Sequence, residues 1–278
     1  MRRAEQHRET FLDLEGTPQK QLTLGEITRE NTAEQADKLR SEFGLQPDFV
    51  PTDSGNQVFN FWRGIVETQG ILVLQTTNIS LQDFRGLSLA SNQMPVILIN
   101  GSDSATGKSF TLFHEVAHLA NTTSGVCALK ENDDQEIIAN KFAANFLMPT
   151  KAVRQAIDND LTAKEIAEHL SKIFKVSTLA AGVRLRNLNI ISENELAELR
   201  ASSDKKWKES RQNQNKKSGF VPRWRLRFRD LGTNYIGAVA RAIEDNRVDL
   251  LDASYLLNAR IPVVEQLLDE YYRVGDPR

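Results

Sequence analysis

The sequence predicts an α+β fold in which helices dominate, and two observations support this class. Three short apolar runs bounded by turn residues lie between residues 71 and 99, a pattern typical of a small sheet. Elsewhere, apolar residues recur every three or four positions, the spacing of amphipathic helices. A chain of 278 residues is long enough for about two domains.

The first predicted elements lie before residue 100. The opening 30 residues are polar, with only the short segment FLDLEG to anchor them. Thr32 begins a helix, with Gln35 completing a capping box, and Gly44 ends it. A second helix begins near Gly55 and stops at Gly70. The predicted strands are Ile71–Leu74, Gly86–Ala90 and Val96–Ile99.

The later elements are mostly helical. A turn-rich segment leads into a helix over residues 110–120, and a strongly periodic helix over residues 135–148 stops at Pro149. Several short helices follow as far as residue 200. The lysine-rich stretch 204–217 predicts a linker or a flexible loop. After it, arginines alternate with Trp224, Leu226 and Phe228, which predicts a strand, and two or three amphipathic helices complete the chain.

Composition narrows the class of protein. The net charge is −2 and the pI is about 6.2, so the chain as a whole is not a polycation, although a local basic patch is compatible with these values. A single cysteine, Cys127, excludes an internal disulfide and any multi-cysteine metal site. The start MRRAEQHRETFLDLEG lacks the apolar core of a signal peptide, and no apolar run reaches about 18 residues. We therefore expect a cytoplasmic protein that does not act on a membrane.

Residues 114–118, His-Glu-Val-Ala-His, have the spacing of a metal site on a helix. Positions i and i+4 lie about 40° apart around the axis and about 6 Å apart along it, so both imidazoles can reach one ion. Glu115 points to the side of this pair, where a carboxylate can take a proton from water instead of binding the metal. Apolar residues flank the motif, so a solvated surface helix is the weaker interpretation.

A catalytic zinc site usually has three protein ligands, so a third is needed here. Glu136 lies on the next predicted helix, on a face of small residues that can approach the metal helix closely. Asp133 and Asp134 are rivals, although they are placed like N-terminal capping residues. Asn140, one turn after Glu136, can orient a histidine from behind or can be an ordinary helix-face amide.

Several segments together resemble a known family. GILVLQ, PVILIN, SFTLFHEVAHLA and EIIANKFAANFLMP, within residues 57–150, resemble the ImmA/IrrE family of zinc metallopeptidases. The resemblance implies a small zincin-like peptidase domain, with His114 and His118 as metal ligands, Glu115 as the catalytic glutamate and Glu136 as the third ligand of Zn²⁺. Two common family features are replaced, by Val116-Ala117 and by Ile138, and neither change touches a ligand.

The resemblance also implies a reaction and a substrate. Zinc in such a site polarises a peptide carbonyl and lowers the pKa of water towards about 7. Glu115 accepts the proton of the attacking water and passes it to the leaving amine. Many related proteins begin with a helix-turn-helix domain that is not seen before this polar lead. The expected substrate is therefore a helix-turn-helix repressor on a separate chain, in the control of a mobile element or a stress response.

Two later segments are candidates for contact with nucleic acid. Residues 163–190 resemble a helix-turn-helix, with a turn at residues 175–177, although a structural helical pair is the favoured interpretation. The basic stretch 204–229, with interleaved aromatic residues, is compatible with a phosphate-tracking surface or with a linker and an edge strand. If it contacts nucleic acid, the expected residues are Arg223, Arg225 and Arg227. DNA is therefore a partner that the sequence allows but does not favour.

The sequence thus predicts four segments. Residues 1–50 form a polar helical lead, 51–150 the metallopeptidase domain, 151–200 a helix-turn-helix-like segment, and 201–278 a basic linker with a helical C-terminal region. The predicted function is a zinc-dependent endopeptidase of limited specificity. The alternative is a non-proteolytic metal-binding regulatory or toxin–antitoxin-type module that binds a partner protein or DNA.

Overall fold

The computed structural model describes residues 2–77, 79–121, 133–158, 160–214 and 221–274. Within these ranges the helices are α1 (Arg2–Glu15), α2 (Thr32–Glu42), α3 (Asn56–Glu67), α4 (Ala105–Asn121), α5 (Asp133–Leu147), α6 (Thr150–Ala156), α7 (Ala163–Phe174), α8 (Thr178–Asn187), α9 (Glu193–Gln214), α10 (Arg223–Glu244), α11 (Leu250–Leu256) and α12 (Ile261–Val274). The strands are β1 (Leu72–Thr76), β2 (Gly86–Leu89) and β3 (Val96–Asn100). The fold is α+β and dominated by helices, which confirms the predicted class.

The three strands form one sheet in the order β1-β3-β2. β1 pairs with β3 in parallel, with Val73 opposite Ile97, and β2 pairs with β3 antiparallel, with Leu87 opposite Leu98. β2 is therefore an edge strand of this sheet. The side-chain amide of Asn100 donates to the carbonyls of Ile79 and Phe84, which holds the loop before β2 against the end of β3.

The sheet separates two hydrophobic cores, because successive residues of a strand point to opposite faces. Val73 and Ile97 belong to the larger core, which runs from Leu24 to Leu199 and includes residues of α2–α9. At its centre Trp62 packs edge-on against Phe113 and Phe146, whose rings stack 3.8 Å apart. Leu72, Leu74 and Val96 belong to the smaller core, which is formed with α1 and α10–α12.

The smaller core joins the two ends of the chain. The His7 ring of α1 lies 4.9 Å from the Tyr235 ring of α10, and its Nδ1 lies 3.0 Å from the tyrosine hydroxyl. Arg241 of α10 also pairs with Glu15 at 3.0 Å. The polar N-terminal segment is thus a helix that packs on the C-terminal region.

Several predicted boundaries are confirmed. Gly44 and Gly70, with φ of 69° and 70°, end α2 and α3 in the left-handed region that glycine adopts without strain. The turn at residues 175–177 lies between α7 and α8, where the Ser177 side chain caps α8 by accepting from Ala180 N. The start of α2 differs, because Asn31 is the N-cap residue, and Thr32 Oγ1 instead accepts from the Asn145 amide at 3.1 Å. The predicted capping box is therefore wrong.

Two further predictions, both within residues 204–229, are corrected by the structure. Residues 204–214 belong to α9, so most of the predicted linker is helical. Residues 223–229 begin α10, so the predicted strand is wrong. The apolar residues Trp224, Phe228, Leu231 and Tyr235 also recur at helical spacing, and packing against β1 and α12 selects the helix.

The four predicted segment boundaries stay predictions, although the larger core crosses both residue 50 and residue 150. Cys127 lies outside the described residues. Within the described part of the chain, no helix combines the length and the apolar character that crossing a membrane requires.

Candidate metal centre

The candidate metal centre begins with two histidines on α4. His114 and His118 lie one helical turn apart, and their Nε2 atoms are 3.0 Å from each other. The side chains that flank them on the helix, including Phe113, Val116 and Ala117, are buried in the larger core. This anchoring fixes the rotation of α4 and leaves both imidazoles half-buried on the side that faces α5.

Glu136 of α5 completes the cluster. Its carboxylate oxygens lie 3.1 Å from His118 Nε2 and 3.4 Å from His114 Nε2. Ala139 and Ala143, on the following turns of α5, are fully buried, so the two helices can pack closely at this point. The face of small residues that the sequence shows therefore brings Glu136 to the histidines.

The donor set fits a zinc ion. Ligands that surround Zn²⁺ tetrahedrally at about 2.0–2.1 Å lie about 3.3–3.4 Å from one another. The distances among the three side chains here are 3.0, 3.1 and 3.4 Å, which is the size of one face of such a tetrahedron. Two imidazole nitrogens and one carboxylate oxygen are also ligands that zinc prefers. His114, His118 and Glu136 can therefore hold one Zn²⁺ and leave a position open.

Asn140 lies behind His114. Its Oδ1 is 3.1 Å from His114 Nδ1, so a proton on Nδ1 can be donated to the amide oxygen, which leaves Nε2 free to bind a metal. Burial lowers the pKa of His114, and the neighbouring His118 lowers it further, while Glu136 and Asn140 act in the opposite direction. The geometry corresponds to the orienting role that the sequence suggests for this amide.

Glu115 lies beside the histidine pair on α4, and its side chain contacts the sheet. The side chain is buried, and its Oε1 lies 3.1 Å from the position that a Cβ would take at Gly86 of β2. A Cβ there would also be only 2.4 Å from Thr111 Cγ2, so only glycine fits at this position without a shift. β2, α4 and the Glu115 carboxylate are thus in direct contact. The sequence does not indicate that Gly86 lies at the candidate site, because nothing in the local pattern marks a close approach of strand and helix.

Of the two rival third ligands, Asp134 lies elsewhere, and the side chain of Asp133 lies outside the described residues. Asp134 forms an exposed ion pair with Arg29, next to α2. Of the described residues, only His114, His118 and Glu136 bring three potential ligand atoms within 4.8 Å of one another. Asp134 is therefore not part of the cluster.

The three arginines expected at a nucleic-acid surface are not collected on one face. Because residues two apart on a helix differ by about 200°, Arg225 points away from Arg223 and Arg227. The Arg225 guanidinium lies 5.2 Å from the centre of the Trp224 ring, and Arg227 donates to the carbonyl of Asn258 at 2.7 Å. Their contact with nucleic acid stays a prediction.

A cavity of about 560 Å³ opens beside the metal centre. Asn140 and Thr111 form the end nearest to the metal cluster, and Phe110, Leu179 and Val183 supply much of the apolar wall. Leu179 and Val183 belong to α8, the second helix of the segment that resembles a helix-turn-helix. The buried Arg184 of α8 donates to the carbonyl of Met148 at 3.0 Å, so this helix packs on the rest of the fold.

Comparison with known proteins bears on the family. Residues 66–186 match the family described as "Peptidase_M78: IrrE N-terminal-like domain". These residues are similar to an IrrE N-terminal-like domain. The predicted resemblance to the ImmA/IrrE family is thereby confirmed, and the match supports a metallopeptidase-type function. The IrrE-like domain comprises β1–β3 and α4–α8, and so includes the helix pair α7–α8.

Other comparisons are more distant. A solved structure titled "Mycobacterium tuberculosis transcriptional regulator" matches with a TM-score of 0.39 and 13% identity over 65% of this chain and 50% of that chain. The chain therefore spans about half the length of that protein. No curated protein matches the chain.

Proposed function

We propose that the chain is a zinc-dependent endopeptidase of limited specificity that cleaves a DNA-binding transcriptional repressor or a similar regulator in the cytoplasm. The observation that carries the proposal is the placement of a buried glutamate, Glu115, on the same helix as two of the three converging metal ligands. A site that only bound metal would need His114, His118 and Glu136 but not this carboxylate.

The residues divide the chemistry between them. Zn²⁺, held by His114, His118 and Glu136, would polarise the peptide carbonyl and lower the pKa of water at the site. Glu115 accepts the proton of the attacking water and then donates it to the leaving amine, so one carboxylate serves as base and then as acid. Asn140 keeps the His114 ring in the orientation that ligation needs.

The edge strand β2 offers a way to position the substrate. An extended peptide can add to an exposed sheet edge through main-chain hydrogen bonds. Because Gly86 of β2 contacts Glu115, a peptide bound along this edge would pass beside the general base. The apolar cavity next to Asn140 would accept a large apolar side chain of the same peptide, which accounts for a limited specificity.

The choice of a regulator as substrate rests on the ImmA/IrrE resemblance, in which a helix-turn-helix repressor is the protein that is cleaved. Such a repressor on a separate chain would link the activity to a mobile element or to a stress response. The helix pair α7–α8 does not change this choice, because Arg184, which a DNA-reading helix would expose, is buried.

The test compares the wild type with Glu115→Gln. Both proteins are loaded with zinc, their metal content is measured, and both are incubated with a library of proteome-derived peptides that is analysed by mass spectrometry. We expect equal zinc content and cleavage by the wild type alone. Zinc-loaded wild type that cleaves no peptide would contradict the proposal, and so would a Glu115→Gln protein that keeps full regulatory activity in the cell. The second result would favour the non-proteolytic regulatory module.

A further inference from the structure

A second cavity, of about 730 Å³, lies between α3, α10 and α12 and is lined by Lys108 of α4, on a different face of that helix from the metal-site histidines. Its volume falls in the range of roughly 300–1,000 Å³ that is typical of small-molecule sites. Five basic side chains and two carboxylates line it, so the wall carries a net positive charge. These residues are Arg63, Lys108, Arg225, Arg229, Arg273, Glu67 and Glu270.

Three of the five basic residues are already paired with carboxylates. Arg63 contacts Glu67 at 3.1 Å and also donates to the carbonyls of Val73, Arg229 and Leu231. Arg229 pairs with Asp230 at 2.7 Å, and Arg273 pairs with Glu270 at 2.6 Å. The guanidinium groups of these three residues are therefore bound to other groups of the protein. Lys108 and Arg225 are the two cations of the cavity that remain to bind a ligand.

Lys108 is the decisive residue. Its side chain is 2% exposed, yet among the described residues its Nζ is hydrogen-bonded only to neutral oxygens, those of the Asn56 and Gln75 amides at 2.9 and 3.4 Å. The Phe59 ring lies 4.8 Å from Nζ, and no described carboxylate lies within ion-pair distance of it. A buried ammonium without a counter-ion is costly, and a bound anion would supply the missing charge. Burial lowers the pKa of Lys108 to about 8, so the group is still mostly protonated at neutral pH.

Arg225 and the aromatic residues complete the cavity at its outer end. Arg225 is exposed and also forms no ion pair with a described carboxylate, and its guanidinium lies over the Trp224 ring. Trp224 and Phe228 both line the cavity and are half-buried, so they offer ring surfaces within it. Lysine and arginine are the side chains that proteins use to bind phosphate groups.

We propose that this cavity binds a phosphorylated small molecule of nucleotide size, whose phosphate group interacts with Lys108 and Arg225. A nucleic-acid polymer fits less well, because Lys108 is buried at the wall of a cavity and Arg223 and Arg227 point away from Arg225. The site is distinct from the metal centre, because the two share no side chain and lie on different faces of α4.

The experiment uses the full chain and four probes, namely inorganic phosphate, AMP, adenosine and a single-stranded DNA oligonucleotide. Binding is measured by calorimetry at low salt, where charge-assisted contacts are strongest. We expect phosphate and AMP to bind and to compete with each other, while adenosine binds much more weakly. Failure of both phosphate and AMP to bind at millimolar concentration, or equal binding of AMP and adenosine, would overturn the proposal.

Two variants locate the binding. Lys108→Met is expected to weaken AMP binding about tenfold or more, since one charged hydrogen-bond donor is lost. If that variant does not fold, Arg225→Gln decides, because its side chain is exposed. Arg223→Gln is the matched control, since Arg223 lies two residues away on the same helix but does not line the cavity. Weaker AMP binding in Arg225→Gln and unchanged binding in Arg223→Gln support the site.

Two outcomes would contradict the proposed phosphate site. Unchanged AMP binding by folded Lys108→Met would place the ligand elsewhere. Oligonucleotide binding that both arginine variants weaken equally, and with which AMP does not compete, would replace the cavity by a nucleic-acid surface. Because all of these readouts are binding measurements that need neither zinc nor cleavage, they are independent of the proposed peptidase activity.

Discussion

Replacing Glu136 by glutamine removes the charge of the third proposed ligand while keeping the size of the side chain. His114 and His118 would remain, with their Nε2 atoms 3.0 Å apart, but the carboxylate that lies 3.1 and 3.4 Å from them would become a neutral amide, which binds zinc poorly. Changes to residues that only support a metal ligand typically weaken metal binding by 10–100-fold. The loss of a direct ligand should exceed this range, so we expect zinc affinity to fall by about 100-fold or more, or about 2.7 kcal/mol.

The assay is a zinc titration against a chromophoric chelator, followed by elemental analysis after dialysis. The matched control is Asp134→Asn, which neutralises a carboxylate on the same helix turn that pairs with Arg29 instead of facing the histidines. We expect about one zinc per chain in the wild type and the control, and little in Glu136→Gln. Unchanged affinity in Glu136→Gln would refute the assignment, and loss of zinc in Asp134→Asn would move the third ligand to Asp134.

Three further predictions concern stability. Burial raises the pKa of Glu67 from 4.5 to about 7, so the folded chain keeps a proton that the unfolded chain loses as pH rises through this window. As the pH rises from 4.5 to 7, the free energy of unfolding of the wild type should therefore fall by about 3 kcal/mol relative to that of Glu67→Gln. Urea unfolding at both pH values measures this, and a difference between the two proteins that does not change with pH would exclude it. Gly86→Ala should lower the free energy of unfolding by about 1–3 kcal/mol, because the added methyl group overpacks the contact with α4. It should also reduce peptide cleavage more than zinc content, which cleavage assays and metal analysis would measure. Arg184→Met should cost about 2–4 kcal/mol, because buried acceptors lose their donor, and an unchanged urea midpoint would argue against it.

The arrangement of the candidate metal ligands could be predicted because most of its geometry is local. The spacing of His114 and His118 fixes their relation on any helix, whatever the rest of the fold. Glu136 required one further step, and the run of small residues on α5 provided it, since Ala139 and Ala143 are buried where α5 packs on α4. The relation of the two histidines depends on helix periodicity alone, whereas the choice of Glu136 over Asp133 and Asp134 also rested on the resemblance to the ImmA/IrrE family.

The parts that could not be predicted depend on contacts between distant segments. The alternation in residues 223–229 fits a strand, and only the packing of Tyr235 and its neighbours against α1, β1 and α12 makes this segment a helix. Likewise, the charged composition of residues 204–214 predicts a solvated segment but does not determine its secondary structure. In the fold these residues are the last part of helix α9. The contact of Gly86 with Glu115 and the burial of Lys108 against Asn56 and Gln75 are equally non-local, so no pattern in the sequence marks them.

The placement of Lys108 gives α4 two separate proposed roles. The helix presents its histidines to α5, whereas Lys108, two turns earlier, contacts Asn56 of α3 and Gln75 of β1. The sequence of α4 indicates only the metal site, because nothing in the local pattern shows that the side chain of Lys108 is buried. The two faces have no ligand in common, so Glu136→Gln should leave AMP binding intact and Arg225→Gln should leave zinc binding intact. Each site can then be tested, and rejected, without deciding the other.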